Sequence, residues 1–312
     1  MRFAPRSILC YVAPGEGYSD GVHRAALEAR RSGASLTLLG VVEPLPRLLA
    51  QLTRGVARLG DLLRARQSEE LEALAHDMRR QDLAADWVLR EGRPADEIVR
   101  QVVEHEHDLV FKLAQGEGGQ VLGSTARQLV RKCPCAVWIV KPGPRRRRHV
   151  VAAVDPQGDV ELQRRILGAA RDVARGLGAR LSLVHAWELP SAHLLAARMQ
   201  PDDYAQLVEA IRSDARERLD LLLANTEGAL ADERVELLEG HHAPALLEFL
   251  REARGDLLVL GTLSRSGLAG LILGNTAERV LSSVDSSVLV LKPEGFVSPI
   301  VPRESMASQE VR

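Results

Sequence analysis

The residues best placed to do chemistry lie in the second half of the chain. Asp155 closes the apolar run Val150 to Val154 and is followed by Pro156. Gly261 closes the run Leu257 to Leu260 and opens the loop GTLSRSGLAGLIL, after which Gly274-Asn275-Thr276 begins a helical pattern. A glycine lets backbone approach a phosphate closely, and a helix start offers unpaired N–H groups with a favourable dipole. Asn275 and Thr276 add side-chain hydrogen-bonding groups. The same residues also read without a ligand, because Asp-Pro-x-Gly is turn chemistry and Asn275 or Thr276 can cap a helix.

Other constellations are weaker. His241-His242 and His105-x-His107 have no Cys or carboxylate set at metal spacing, so no metal site is expected. Cys133-Pro134-Cys135 is too sparse for zinc without partners and reads as a pair of inert thiols near a strand start. The P-loop, the G-x-S-x-G nucleophile elbow and the G-x-G-x-x-G dinucleotide fingerprint are all missing. No catalytic constellation is complete, and no catalytic residue is assigned.

The elements that would hold these residues occur twice. ILCYVAP (8–14) recurs as VVAAVDP (150–156), and GASLTLLGVVE (33–43) as GARLSLVHAWE (178–188). DWVLREG (86–92) recurs as RVELLEG (234–240), and GSTARQLV (123–130) as GNTAERVL (274–281). The spacing between copies grows in steps of three, from 142 to 151 residues, which reads as small loop insertions in the second half. Ordered self-similarity with so little drift marks a tandem duplication.

Within each copy, short apolar runs alternate with helical patterns. Leu162, Ile166, Ala169, Ala170, Val173 and Leu177 recur at helical spacing, and Gly178 stops that helix as Gly33 stops its counterpart. Long helical stretches are expected over Leu59 to Met78 and Tyr204 to Leu223. Alternating strands and helices mean βαβ units. The expected fold is α/β, with two tandem Rossmann-like doubly wound domains, each with a five-stranded parallel sheet. The domains are expected at 1–143 and 150–296, joined by a basic linker at 144–149. An extended or disordered tail at 297–312 would follow. Pairing of the two domains through their fifth strands, AVWIV and SVLVL, would cover two apolar edges.

Composition excludes several classes. With 41 Lys and Arg against 42 Asp and Glu, the net charge of −1 gives no footprint for nucleic acid. Aromatic residues make up only 3%, too few for base-stacking platforms. No run of about 18 apolar residues occurs and no signal-peptide pattern opens the chain, so a cytoplasmic protein without membrane spans is expected.

The stretch GTLSRSGLAGLILGNTAERVL followed by VLVLKP resembles the second-half signature of the universal stress protein family. DLVFKLA and LVRKCPCAVWIVKP resemble the first half of its two-domain subgroup. Nucleotide-binding members carry G-x-x-G-x9-G-[ST] and an Asp ending the first strand. The resemblance implies ATP or a related adenine nucleotide, with or without magnesium, in the second domain. It places Asp155 at the ribose, Ala186 at the adenine, and Gly261, Ser264, Gly274, Asn275 and Thr276 around the phosphates. Arg265 lies in the same loop and could pair with a phosphate. The chain departs from the motif at Ser264, where the second glycine falls, and at Asn275, with Thr276 one place later. The first domain has Ala13 and Leu113 in place of Asp155 and Gly261, so it is expected to be a structural or partner copy. The implied role is regulatory, with protein partners and possible homodimer formation. The alternatives are a ligand-free scaffold, or a slow ATPase or self-phosphorylating protein with Ser264, Ser266 or Thr276 as acceptor.

Overall fold

A computed structural model describes residues 3–44, 54–114, 122–143, 148–262 and 274–302. Contacts divide the chain into two units, Ala4–Gly143 and Pro144–Gly295; the described tail from Phe296 groups with the first and Phe3 with the second.

The N-terminal domain runs β1 (Ser7–Tyr11), α1 (Asp20–Ser32), β2 (Ser35–Val42), α2 (Arg54–Arg79), β3 (Ala85–Glu91), α3 (Pro94–His105), β4 (Leu109–Leu113), α4 (Ser124–Lys132) and β5 (Ala136–Val140). The C-terminal domain repeats the order as β6 (His149–Ala153), α5 (Val160–Leu177), β7 (Arg180–Trp187), α6 (Ala192–Ala196), α7 (Pro201–Ala224), β8 (Arg234–Glu239), α8 (His242–Ala253), β9 (Leu257–Gly261), α9 (Asn275–Ser283) and β10 (Ser287–Leu291). The sheets are ordered β3-β2-β1-β4-β5 and β8-β7-β6-β9-β10, with every neighbouring pair inside each domain parallel. This is the doubly wound topology expected from the alternation of periods. Its central strands are largely apolar because helices cover both faces; β5 and β10 are buried at every position.

Local chemistry explains the helix ends. Asp159 caps α5 by accepting from the Leu162 N–H at 2.7 Å, and Gly178 ends it in the left-handed region at φ 56°. Between those ends the apolar stripe Leu162, Ile166, Ala169, Ala170 and Val173 is buried against the sheet. Burial of each large aliphatic side chain contributes about 1.5–3 kcal/mol.

The first three-residue step between the copies is not a loop insertion. Helix α5 has 18 residues against 13 in α1, while the loop before it is two residues shorter. An extra turn of apolar stripe therefore lines the strand ends in the C-terminal domain. Helix α6, with five residues, is too short for a periodic signal.

Candidate functional site

In a doubly wound sheet, ligands sit beyond the carboxyl ends of the strands at the point where strand order reverses. In the C-terminal domain that point lies between β6 and β9, and a cavity of about 420 Å³ opens there. Its floor is apolar, with Ala153 from β6, Leu162 and Ile166 from α5, Leu246 from α8, Leu260 from β9, and Ala277 and Val280 from α9. Asp155, Gln163, His185, Ala186, His242, Gly261, Gly274 and Thr276 also line it.

Five of the residues singled out in the sequence thus meet around one space: Asp155, Ala186, Gly261, Gly274 and Thr276. The main chain of Asn275 starts α9 beside them. Ser264 and Arg265, with Ser266, lie outside the described residues.

Asp155 is held at both ends. Its N–H donates to Gln163 Oε1 at 2.9 Å, and its carboxylate Oδ1 accepts from the Gln157 N–H at 3.1 Å. The Gly158 N–H closes the turn onto the Asp155 carbonyl at 2.8 Å. The turn reading of Asp-Pro-x-Gly is realised, and the turn sets Asp155 on the lining of the cavity. Gln163 is 6% exposed and packs on this turn, 2.9 Å from where a β-carbon on Gly158 would stand. A glutamine on a helix looks like a surface residue, so its role was missed; the available signal was a polar side chain within the apolar stripe of α5.

His185 was also missed. It is buried inside β7, and its Nδ1–H donates to the Val154 carbonyl at 3.0 Å. That bond fixes the ring at the cavity wall beside Ala186. At the other wall, Gly274 precedes α9 with no side-chain cap, and its own N–H donates to the Thr262 carbonyl at 3.1 Å. The first turn of α9 therefore leaves backbone N–H groups without helical partners beside the cavity, with Thr276 exposed among them. Among the described lining residues Asp155 is the only carboxylate, and no Lys or Arg is present.

The equivalent region of the N-terminal domain is built from larger side chains. Tyr11 and Lys112 stand where Ala153 and Leu260 stand in the other copy, and both are buried. The Lys112 ammonium donates to the Leu113 carbonyl at 2.8 Å and lies 5.4 Å over the Tyr11 ring. Burial pulls the Lys112 pKa below the usual lysine range, against the opposing pull of the Glu16 charge. Gly40 replaces His185 and leaves room for α2: a β-carbon there would meet Leu71 at 2.7 Å and Gln67 at 2.8 Å. The Gln67 amide donates to the Val12 carbonyl at 3.2 Å, making the bond that His185 makes to Val154.

Alignment alone leaves this domain without a carboxylate at Ala13, and the structure supplies one from Glu16. Glu16 accepts from the Ala13 N–H at 2.9 Å and from the Ser19 hydroxyl at 2.6 Å. Glu70 on α2 accepts from the Gly15 and Gly17 N–H groups at 3.1 and 2.6 Å. The helix thus closes over the glycine loop. In the C-terminal domain the equivalent positions are Ala215 and Arg218, and Arg218 pairs with Asp214 on its own helix.

Comparison with known proteins places these features in context. The model of the universal stress protein family matches residues 6–141 and again 146–292. Universal stress protein E of Photorhabdus laumondii is 29% identical over 228 residues, covering 68% of this chain and 70% of the relative. Its counterpart in Escherichia coli K12 is 25% identical over 222 residues, covering 68% and 69%. A solved structure from Pseudomonas aeruginosa PAO1 superposes with a TM-score of 0.71 at 24% identity, covering 98% of both chains. A universal stress protein from Archaeoglobus fulgidus gives 0.60 at 16% identity, covering 92% of this chain and 98% of that one. These structural likenesses speak for the fold. Among the described residues, no helix is long and apolar enough to cross a membrane.

Proposed function

Because the chain belongs to the universal stress protein family, carrying two of its domains in tandem, we propose that it is a cytoplasmic stress-response protein that binds ATP or a related adenine nucleotide in its C-terminal domain. The observation that carries this reading is the convergence of Asp155, Ala186, Gly261, Gly274 and the start of α9 on one cavity. At about 420 Å³ it falls within the ~300–1,000 Å³ range of small-molecule sites. An apolar floor beside Ala186 suits a purine, Asp155 is an acceptor for ribose hydroxyls, and the N–H groups of α9 suit phosphates.

Ligation then acts as a signal to protein partners rather than as the start of a reaction. Phosphoryl transfer needs charge neutralisation on the phosphates and an oriented nucleophile or water. The described lining contributes no cation, and the role assigned to its one carboxylate is at the ribose. A second reading, a scaffold that works without ligand, is favoured for the N-terminal domain by the side chains of Tyr11, Lys112 and Gln67 in its cleft.

Mass spectrometry of ligand released from natively purified protein, with titration calorimetry, tests the proposal. About one adenine nucleotide per chain is expected, lost on Asp155→Ala or Gly274→Trp. Two equivalent sites, or binding that survives Gly274→Trp, would overturn it. Turnover near about 1 s⁻¹ that disappears in Asp155→Ala would make the protein an enzyme.

A further inference from the structure

The amino-terminal end of the N-terminal sheet carries a feature separate from either cleft. Cys133 ends α4, its N–H bonded to the Leu129 carbonyl at 2.9 Å, and Cys135 lies just before β5 with Pro134 between them. The two sulfurs are 3.5 Å apart, in van der Waals contact. Cys133 is fully buried, while Cys135 is partly exposed. The equivalent residues of the C-terminal domain, Val284 and Ser286, carry no thiol.

A partly exposed cysteine whose sulfur touches that of a fully buried one has the arrangement of an attacking residue with a resolving one behind it. A disulfide needs the sulfurs at about 2.05 Å, so an approach of about 1.5 Å remains, shared between two side-chain rotations. The helix end and the strand start already hold the two residues side by side, and the proline stiffens the link.

We propose that Cys133 and Cys135 form a dithiol site that reacts with low-molecular-weight disulfides of the glutathione class. The Cys135 thiol loses its proton to solvent and its sulfur attacks one sulfur of the small disulfide. That S–S bond breaks, a mixed disulfide forms, and the first small thiolate leaves and takes up a proton. Cys133 then loses its proton and attacks the Cys135 sulfur, expelling the second small thiol. Two protein thiols are oxidised to one disulfide, and one small disulfide is reduced to two thiols. Burial, the neighbouring Cys133 and the Asp108 charge all push the Cys135 thiol above its ordinary range, so exchange is slow near neutrality and quickens as pH rises. Cys10, 1% exposed within β1, serves as an unreactive internal reference.

The test is intact-mass measurement of the full chain incubated with oxidised glutathione at about pH 8.5. The wild-type chain is expected to become about 2 mass units lighter with no lasting adduct. Cys133→Ser should keep an adduct of about 305 mass units, and Cys135→Ser should stay unmodified. A lasting adduct on the wild type, thiols that all remain free, or equal modification of Cys135→Ser would overturn the proposal. Digestion of the oxidised wild type provides a reading independent of the variants. The bond should fall within the segment after Lys132, and a bond to Cys10 instead would also overturn the site.

Discussion

Gly261 and Leu162 share one space: a β-carbon on Gly261 would stand 2.8 Å from Leu162 Cδ2. The N-terminal domain reverses the arrangement, with the bulk of Leu113 on the strand and Gly21 on the helix, where a β-carbon would lie 3.2 Å from that of Leu113. The glycine that opens the motif loop therefore makes room for the helix at the cavity floor, whatever it does for a phosphate. Gly261→Ala is expected to cost about 1–2 kcal/mol of stability by overpacking. Leu162→Ala should cost about 2–5 kcal/mol alone, and the double variant less than the sum, because the two act on one contact. Denaturant unfolding of all four proteins measures the coupling; strict additivity would show that the glycine has no packing role.

Gln163 positions Asp155 without needing to touch a ligand itself. Gln163→Leu removes the acceptor from the Asp155 N–H at a position that is almost fully buried. A loss of about 1–2 kcal/mol, or roughly tenfold in nucleotide affinity, is expected. Calorimetry on Gln163→Leu and the conservative Gln163→Glu separates the two effects. The glutamate retains the acceptor and should recover most of the affinity.

Glu70 serves the N-terminal domain alone. Glu70→Ala leaves the Gly15 and Gly17 N–H groups without their acceptor and should cost about 1–2 kcal/mol. The number of nucleotides bound per chain should not change. A second binding event in this variant would show that α2 had been masking a competent site.

Acid should destabilise the N-terminal domain through His107. Burial above all, with the charges of His105 and Arg90, pushes its pKa down to about 4, and its Nδ1 lies 2.7 Å from the Ser7 hydroxyl. The unfolded chain takes up a proton near the ordinary histidine pKa of about 6.5, which the folded chain refuses until about pH 4. Stability from this group is therefore complete above the unfolded value and falls as pH drops through that window. His149, also held below its ordinary value by burial, acts in the same direction in the other domain. Melting temperature measured from pH 7 to pH 4 should fall less steeply in His107→Asn than in wild type; parallel slopes would count against the assignment.

Much of this architecture was legible in the residues. Val150 to Val154 and Leu257 to Leu260 read as fully covered strands from their place between helical patterns, and the recurrence of GSTARQLV as GNTAERVL gives the duplication away. Asp155, Gly261 and Gly274 could be brought together from topology alone, since Asp155 and Gly261 stand at strand ends where the order reverses and Gly274 starts the helix that follows the second of those strands. What stayed hidden depends on contacts across space. Gln67 and Glu70 reach the first glycine loop from a helix more than fifty residues on, and helical periodicity says nothing about which loop a helix covers. Position-by-position comparison also says nothing of Glu16, which reaches the Ala13 N–H from three residues later, within a loop of different length.

The larger side chains in the cleft of the N-terminal domain bear on how this duplicated gene product can evolve. Reopening it would take changes at Tyr11, Lys112, Leu113 and Gln67, and each of them alone breaks a packed or bonded arrangement before any ligand could compensate. Single changes toward the open form of the other copy thus cost packing or bonding before any binding is gained. Divergence acts as a ratchet, and a chain that has specialised one repeat in this way keeps its asymmetry under ordinary point mutation.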